Sequence, residues 1–67
     1  MPFDGANLAA IRSRRKLTQE QLASRAGCSR CSINRWERGR QPPDLDAALR
    51  LAAALRVPLA RLLAADR

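Results

Sequence analysis

The chain has 67 residues, a formal net charge of +7, two cysteines and no histidine. At this length one small domain over residues 1–67 is expected, burying only about 60% of its unfolded surface. No apolar run approaches the ~18 residues of a membrane span. Met1–Gly5 is neither basic nor followed by an apolar stretch, so no signal peptide is read there. The expected setting is the cytoplasm, with reduced thiols and no membrane contact.

The charge is unevenly placed. Residues 12–40 hold nine basic side chains (Arg12, Arg14, Arg15, Lys16, Arg25, Arg30, Arg35, Arg38, Arg40) against Glu20 and Glu37. Outside that window Arg50, Arg56, Arg61 and Arg67 balance Asp4, Asp44, Asp46 and Asp66. Positive charge concentrated in this way attracts phosphate backbones by Coulomb steering and counterion release. A merely solvated Arg-rich surface is the plainer alternative.

Helical signals follow one another along the chain, without strand alternation, repeats or low-complexity segments. Asp4 is a candidate N-cap for a first helix over about 5–15, with Leu8, Ile11 and Arg15 on one face. Thr18 and Gln21 form a capping-box pattern that opens a second helix over about 19–26. Gly27 stops it, being free to adopt the left-handed conformation of a helix end. Ser29 caps a third helix from Arg30, and Gly39 ends it. The Q-P-P-D stretch is a loop, because proline cannot sit in a helix interior. Asp44 caps a fourth helix over about 45–55, with Leu45, Ala48, Leu51, Ala52 and Leu55 inward. Pro58 opens a short fifth helix carrying Leu59, Leu62 and Leu63. The expected fold is a compact all-α, five-helix domain with an aliphatic core, Trp36 its largest member. The small Ala23 and Ala26 let the second and third helices cross closely.

Helices two and three, joined by a tight glycine turn, make a helix-turn-helix at about 18–39. On the third helix, Arg30, Cys31, Asn34, Arg35 and Arg38 form one polar stripe, while Ile33 and Trp36 lie opposite. Such a helix can pack on its scaffold and still enter a major groove, where Arg suits guanine and Asn adenine. An exposed face of ordinary solvated charges is the alternative. The stretch "RSRRKLTQEQLASRAGCSRCSINRWERG", followed by "PPDLDAALRLAAALRVPLARLL", resembles the lambda-repressor/Cro-like (Xre-type) helix-turn-helix family over about residues 7–63.

The resemblance implies a transcriptional regulator on double-stranded DNA, a repressor acting as a homodimer on a palindromic operator, with the third helix (about 30–38) in the major groove. It implies base reading by Arg30, Cys31 and Arg35, with Asn34 in support. Phosphate contacts are implied for Thr18, Gln19, Ser32, Arg38, Arg40, Gln41 and the helix start at Leu45, where the positive end of the dipole favours an anion. Gln19 would also brace the third helix. Arg12 and Glu37 match a structural ion pair between the first and third helices. The chain departs from the family pattern at Arg56, where glycine is usual, and at Pro58, which replaces a Ser or Thr cap.

Two other readings stand beside this one. A relative of the same fold could be an antitoxin or phage-type accessory factor whose main partner is a protein, such as a toxin. The C-x-x-C of Cys28 and Cys31 could mark a thiol sensor, since a helix start can lower a thiol pKa. With no histidine and no third cysteine, a complete zinc site within the chain is not expected. Cys28 fills a turn position that relatives give to a small apolar residue, and Cys31 lies on the polar stripe. An intrachain disulfide is therefore not expected. No paired carboxylates, histidine or phosphate-cradling glycine loop supply catalytic machinery, so neither an enzyme nor a cofactor is expected.

Overall fold

An oxygen side chain opens each of the four α-helices in a computed structural model that describes residues 3–64. Helix α1 spans Gly5–Arg14, α2 Gln19–Ala26, α3 Arg30–Glu37 and α4 Leu45–Leu55. Asp4 accepts from the Asn7 amide at 3.1 Å, Ser29 from Ser32 at 3.1 Å and Asp44 from Ala47 at 2.8 Å. Thr18 and Gln21 close the full reciprocal capping box, at 3.0 and 2.9 Å. Each cap satisfies an amide that would otherwise lack a partner in the first turn.

The helix ends share one device as well. Lys16, Gly27, Gly39 and Arg56 all have left-handed φ, at 58°, 72°, 72° and 58°. The next residue's amide then folds back onto a carbonyl of the last turn: Leu17 to Arg12, Cys28 to Ala23, Arg40 to Arg35 and Val57 to Ala52. Glycine adopts this conformation without a Cβ clash, whereas Lys16 and Arg56 bear its cost. Arg56 thus closes α4 in the left-handed conformation at the position where the family pattern usually has glycine.

Leu8, Leu22, Ile33, Leu51, Leu55 and Leu62 are fully buried and form the centre of the core. Ala23 and Ala26 are buried where α2 meets its neighbours. α2 packs on α3 and α4, while α1 packs on α3. Gly5 makes that last contact possible, since a Cβ there would collide with the carbonyl oxygens of Trp36 and Glu37. Phe3 forms an isolated antiparallel bridge with Leu63, and the Asp4 amide donates to the Leu62 carbonyl at 2.8 Å. The start and end of the described segment are therefore fastened together.

Four expectations need correction. The fifth helix is a single 3-10 turn, Leu59–Leu62. Pro58 sits before that turn with ψ 150° and offers no capping oxygen, so nothing extends the turn into an α-helix. Leu45 is 68% exposed rather than inward, because a side chain in the first turn leans back past the helix end. Trp36 is only half-buried at the core's edge, and the residues sealed inside are aliphatic. Arg15 is exposed beyond the end of α1.

Among the described residues no helix is long and apolar enough to cross a membrane. No cluster of His, Cys, Asp and Glu among them is placed to hold a metal.

Candidate nucleic-acid interface

Ile33 anchors α3 by its inner face, being wholly buried. The opposite face carries Arg30, Cys31 and Arg35 exposed, with Asn34 half-buried beside them. Arg38 and Arg40 follow in the turn after the helix, also exposed. Asn34, Arg35, Arg38 and Arg40 line one open cleft. Three guanidinium groups and one amide around a single opening offer hydrogen-bond donors in the forked geometry that suits phosphates and guanine edges.

The other implied contact residues fall into separate neighbourhoods. Ser32 and Gln41 line a second cleft at the start of α4, together with Trp36, Asp44 and Arg50. Leu45 instead lines an apolar groove with Phe3, Trp36, Pro42, Pro43 and Leu63. Thr18 stands exposed at the head of α2. Arg30 and Cys31 belong to none of these three openings.

A hydrogen-bonded network fixes α3 from behind. Arg12 Nε lies 2.6 Å from Glu37 Oε2, and its Nη2 donates to Oε1 at 3.2 Å. Arg12 Nη1 donates to the Leu17 carbonyl at 2.7 Å. Gln19 Nε2 donates to Glu37 Oε1 at 3.0 Å and to Asn34 Oδ1 at 3.3 Å. Glu37 keeps only 6% of its side chain exposed and Arg12 18%. The network joins α1, the α1–α2 turn, α2 and α3, so the outer face of α3 is held at a fixed angle to the rest.

The two thiols differ. Cys31 is exposed, while Cys28 is half-buried against the core, and both are free. Burial pushes the Cys28 thiol up, and nearby Arg50 pulls it partly back. That is the reverse of an activated thiolate, which needs a lowered pKa.

Sequence reasoning passed over two participants. Gly5 could have been noticed as a glycine in a first turn where no left-handed conformation calls for one. The Leu17 carbonyl that takes Arg12 left no side-chain signal, being backbone. Gln19 was expected to brace the third helix, but its particular acceptors, Glu37 and Asn34, depend on tertiary placement, which spacing along one chain does not report.

A helix-turn-helix family model matches residues 8–62. The chain belongs to that helix-turn-helix family. Its members are DNA-binding regulators and not enzymes. This helix-turn-helix domain is 42% identical, over 65 residues, to the uncharacterised HTH-type transcriptional regulator RghRB of Bacillus subtilis. That alignment takes in 96% of the chain but only 46% of RghRB, so the chain spans about half the length of this relative.

Among solved structures, the domain is similar to the P22 c2 repressor protein in complex with synthetic operator 9T. The TM-score is 0.88 at 30% identity, covering 98% of this chain and 100% of that one. It is also similar to the restriction-modification controller protein C.AhdI from Aeromonas hydrophila, with a TM-score of 0.85 at 34% identity. That match covers 88% of this chain and 89% of that one.

Proposed function

We propose that the chain is a sequence-specific regulator of transcription, a repressor that binds double-stranded DNA as a homodimer on a palindromic operator. The observation that carries the reading is the open cleft of Asn34, Arg35, Arg38 and Arg40 on a helix whose other face is buried at Ile33. The likeness to the P22 c2 repressor, solved on an operator, supports it. In this reading α3 enters the major groove, and Arg30, Cys31, Asn34 and Arg35 meet base edges. Arg suits the N7 and O6 acceptors of guanine, and the Cys31 side chain suits a thymine methyl. Phosphates fall to the Thr18 and Ser32 hydroxyls, to Arg38, Arg40 and Gln41, and to the backbone amides of Gln19 and Leu45. Those two amides open their helices and have no intrahelical acceptor.

The second copy docks on the apolar face. Leu45 and Leu49 are 68% and 49% exposed, one helical turn apart on α4. Leu45 adjoins the apolar groove, whose volume is about 530 Å³ and which Phe3, Pro42, Pro43, Leu59 and Leu63 also line. A patch of this kind marks an interaction surface. Two copies joined there would present paired α3 helices to half-sites about one DNA turn, ~34 Å, apart.

Selection from random duplexes followed by footprinting tests both parts. Enrichment of a palindrome with that spacing is expected, and equal recovery of every duplex would refute specific binding. Within the selected site, Arg35→Ala should cost roughly 1–3 kcal/mol and relax one base position, whereas Arg40→Ala should weaken all duplexes alike. Identical behaviour of the two variants would overturn the division between base and phosphate contacts.

A further inference from the structure

Two of the four left-handed helix ends use glycine, but the turn between α1 and α2 uses Lys16, at φ 58°. Glycine would close that turn without the Cβ clash. The two ion pairs among the described residues, Arg12–Glu37 and Arg50–Asp46, leave Lys16 out, and its side chain is exposed. Strain kept at such a position points to a use for the side chain outside the fold. Arg56 shares the conformation but lies where the charges of the chain cancel. Lys16 lies in the window that holds the whole positive excess, directly after the exposed Arg14 and Arg15.

Arg12 fixes where this turn sits. Its guanidinium holds the Leu17 carbonyl at 2.7 Å and Glu37 of α3 at 2.6 Å. Thr18 and Gln19 follow at once at the head of α2. The turn also stands at the far end of α1 from the apolar groove. Phe3 and Gly5 line the groove, whereas Arg14 closes a ten-residue helix, about 15 Å further on. With a second copy seated on the groove, each turn faces outward, past the ends of the paired half-sites. The two arginines differ in direction. Successive helical residues are about 100° apart, so Arg14 lies about 200° round the axis from Arg12 and turns away from α3. Arg15, still helical at φ −81° and ψ −1°, falls within about 60° of Arg12.

We propose that Arg15 and Lys16 form a second, sequence-independent phosphate site, which takes the backbone of the duplex flanking the operator on each side. The proposal rests on the DNA-binding reading above and adds to it the length of duplex that a dimer grips.

The test measures affinity, over a range of salt, for a duplex that stops at the ends of the selected site and for one extended by a helical turn at each end. Every variant is first checked for cooperative thermal unfolding. The parent chain should bind the longer duplex more tightly and with a steeper salt slope. Arg15→Gln combined with Lys16→Gln should remove that gain and flatten the slope by about 0.9 for each phosphate released, with base preferences unchanged. Arg14→Gln, an equal loss of charge on the far face, should keep the gain. Lys16→Gly separates strain from binding: its melting temperature should rise while part of the gain is lost. Equal affinity of the parent for both duplexes would overturn the proposal, as would a double variant that weakens both alike. Arg14→Gln matching the double variant would also sink it, by reducing the site to bulk charge. So would a Lys16→Gly variant that melts lower or keeps the full gain, and that variant still decides if the double variant unfolds. A parent chain that enriches no sequence from random duplexes would instead defeat the DNA-binding reading itself.

Discussion

Glu37 is almost fully enclosed and accepts hydrogen bonds from Arg12 and Gln19. Removing it strands the Arg12 guanidinium beside a space built for a carboxylate. Arg12 retains some contact with water, which moderates the loss below that of a fully buried pair. Glu37→Ala should therefore destabilise the fold by about 2–3 kcal/mol in a urea titration. The cysteines make a second comparison at this scale. Burial raises the Cys28 thiol while Cys31 is open, so alkylation followed by mass spectrometry should modify Cys31 well before Cys28. Faster labelling of Cys28 would restore the thiol-sensor reading. The caps at Asp4, Thr18, Ser29 and Asp44 were legible in the sequence because each needs one residue type at a short fixed offset. The partners of Gln19 were not, because they come from another helix.

Helix ends and helix contacts set the next scale. Arg56 occupies a left-handed position that costs a non-glycine residue free energy. Arg56→Gly should raise stability by roughly 0.5–1 kcal/mol, seen as a higher melting temperature with the same secondary structure content. Gly5→Ala should do the opposite. Its methyl group would press on the carbonyls that end α3, forcing α1 outward at a cost of about 1–3 kcal/mol. The four α-helices could be read from periodicity and caps, since both signals are local. The last element could not: Leu59, Leu62 and Leu63 fit a helical spacing, yet four residues after Pro58 close only one 3-10 turn. The outward placement of Leu45 was equally hidden, because periodicity assigns a face without stating where the packed length of a helix begins.

For the whole molecule, the positive charge concentrated between residues 12 and 40 governs how binding responds to ions. A dimer neutralising ~6–8 phosphates should show log K falling with log salt at a slope of about −0.9 per phosphate. A flat response in a filter-binding or anisotropy titration would contradict an electrostatic grip. The charge pattern and the family resemblance were both readable from one sequence. The apolar groove was not, since residues from Phe3 to Leu63 meet there only in three dimensions.

Trp36 lines both that groove and the polar cleft at the head of α4. It is the chain's single tryptophan, and there is no tyrosine. Its emission is therefore an uncontaminated optical signal from the wall between the apolar groove and the polar cleft. Titrating the chain alone and then adding duplex would separate the two events by wavelength and amplitude. The molecule thus carries its own indicator for testing the proposed pairing and the proposed binding to DNA, and the order in which they occur.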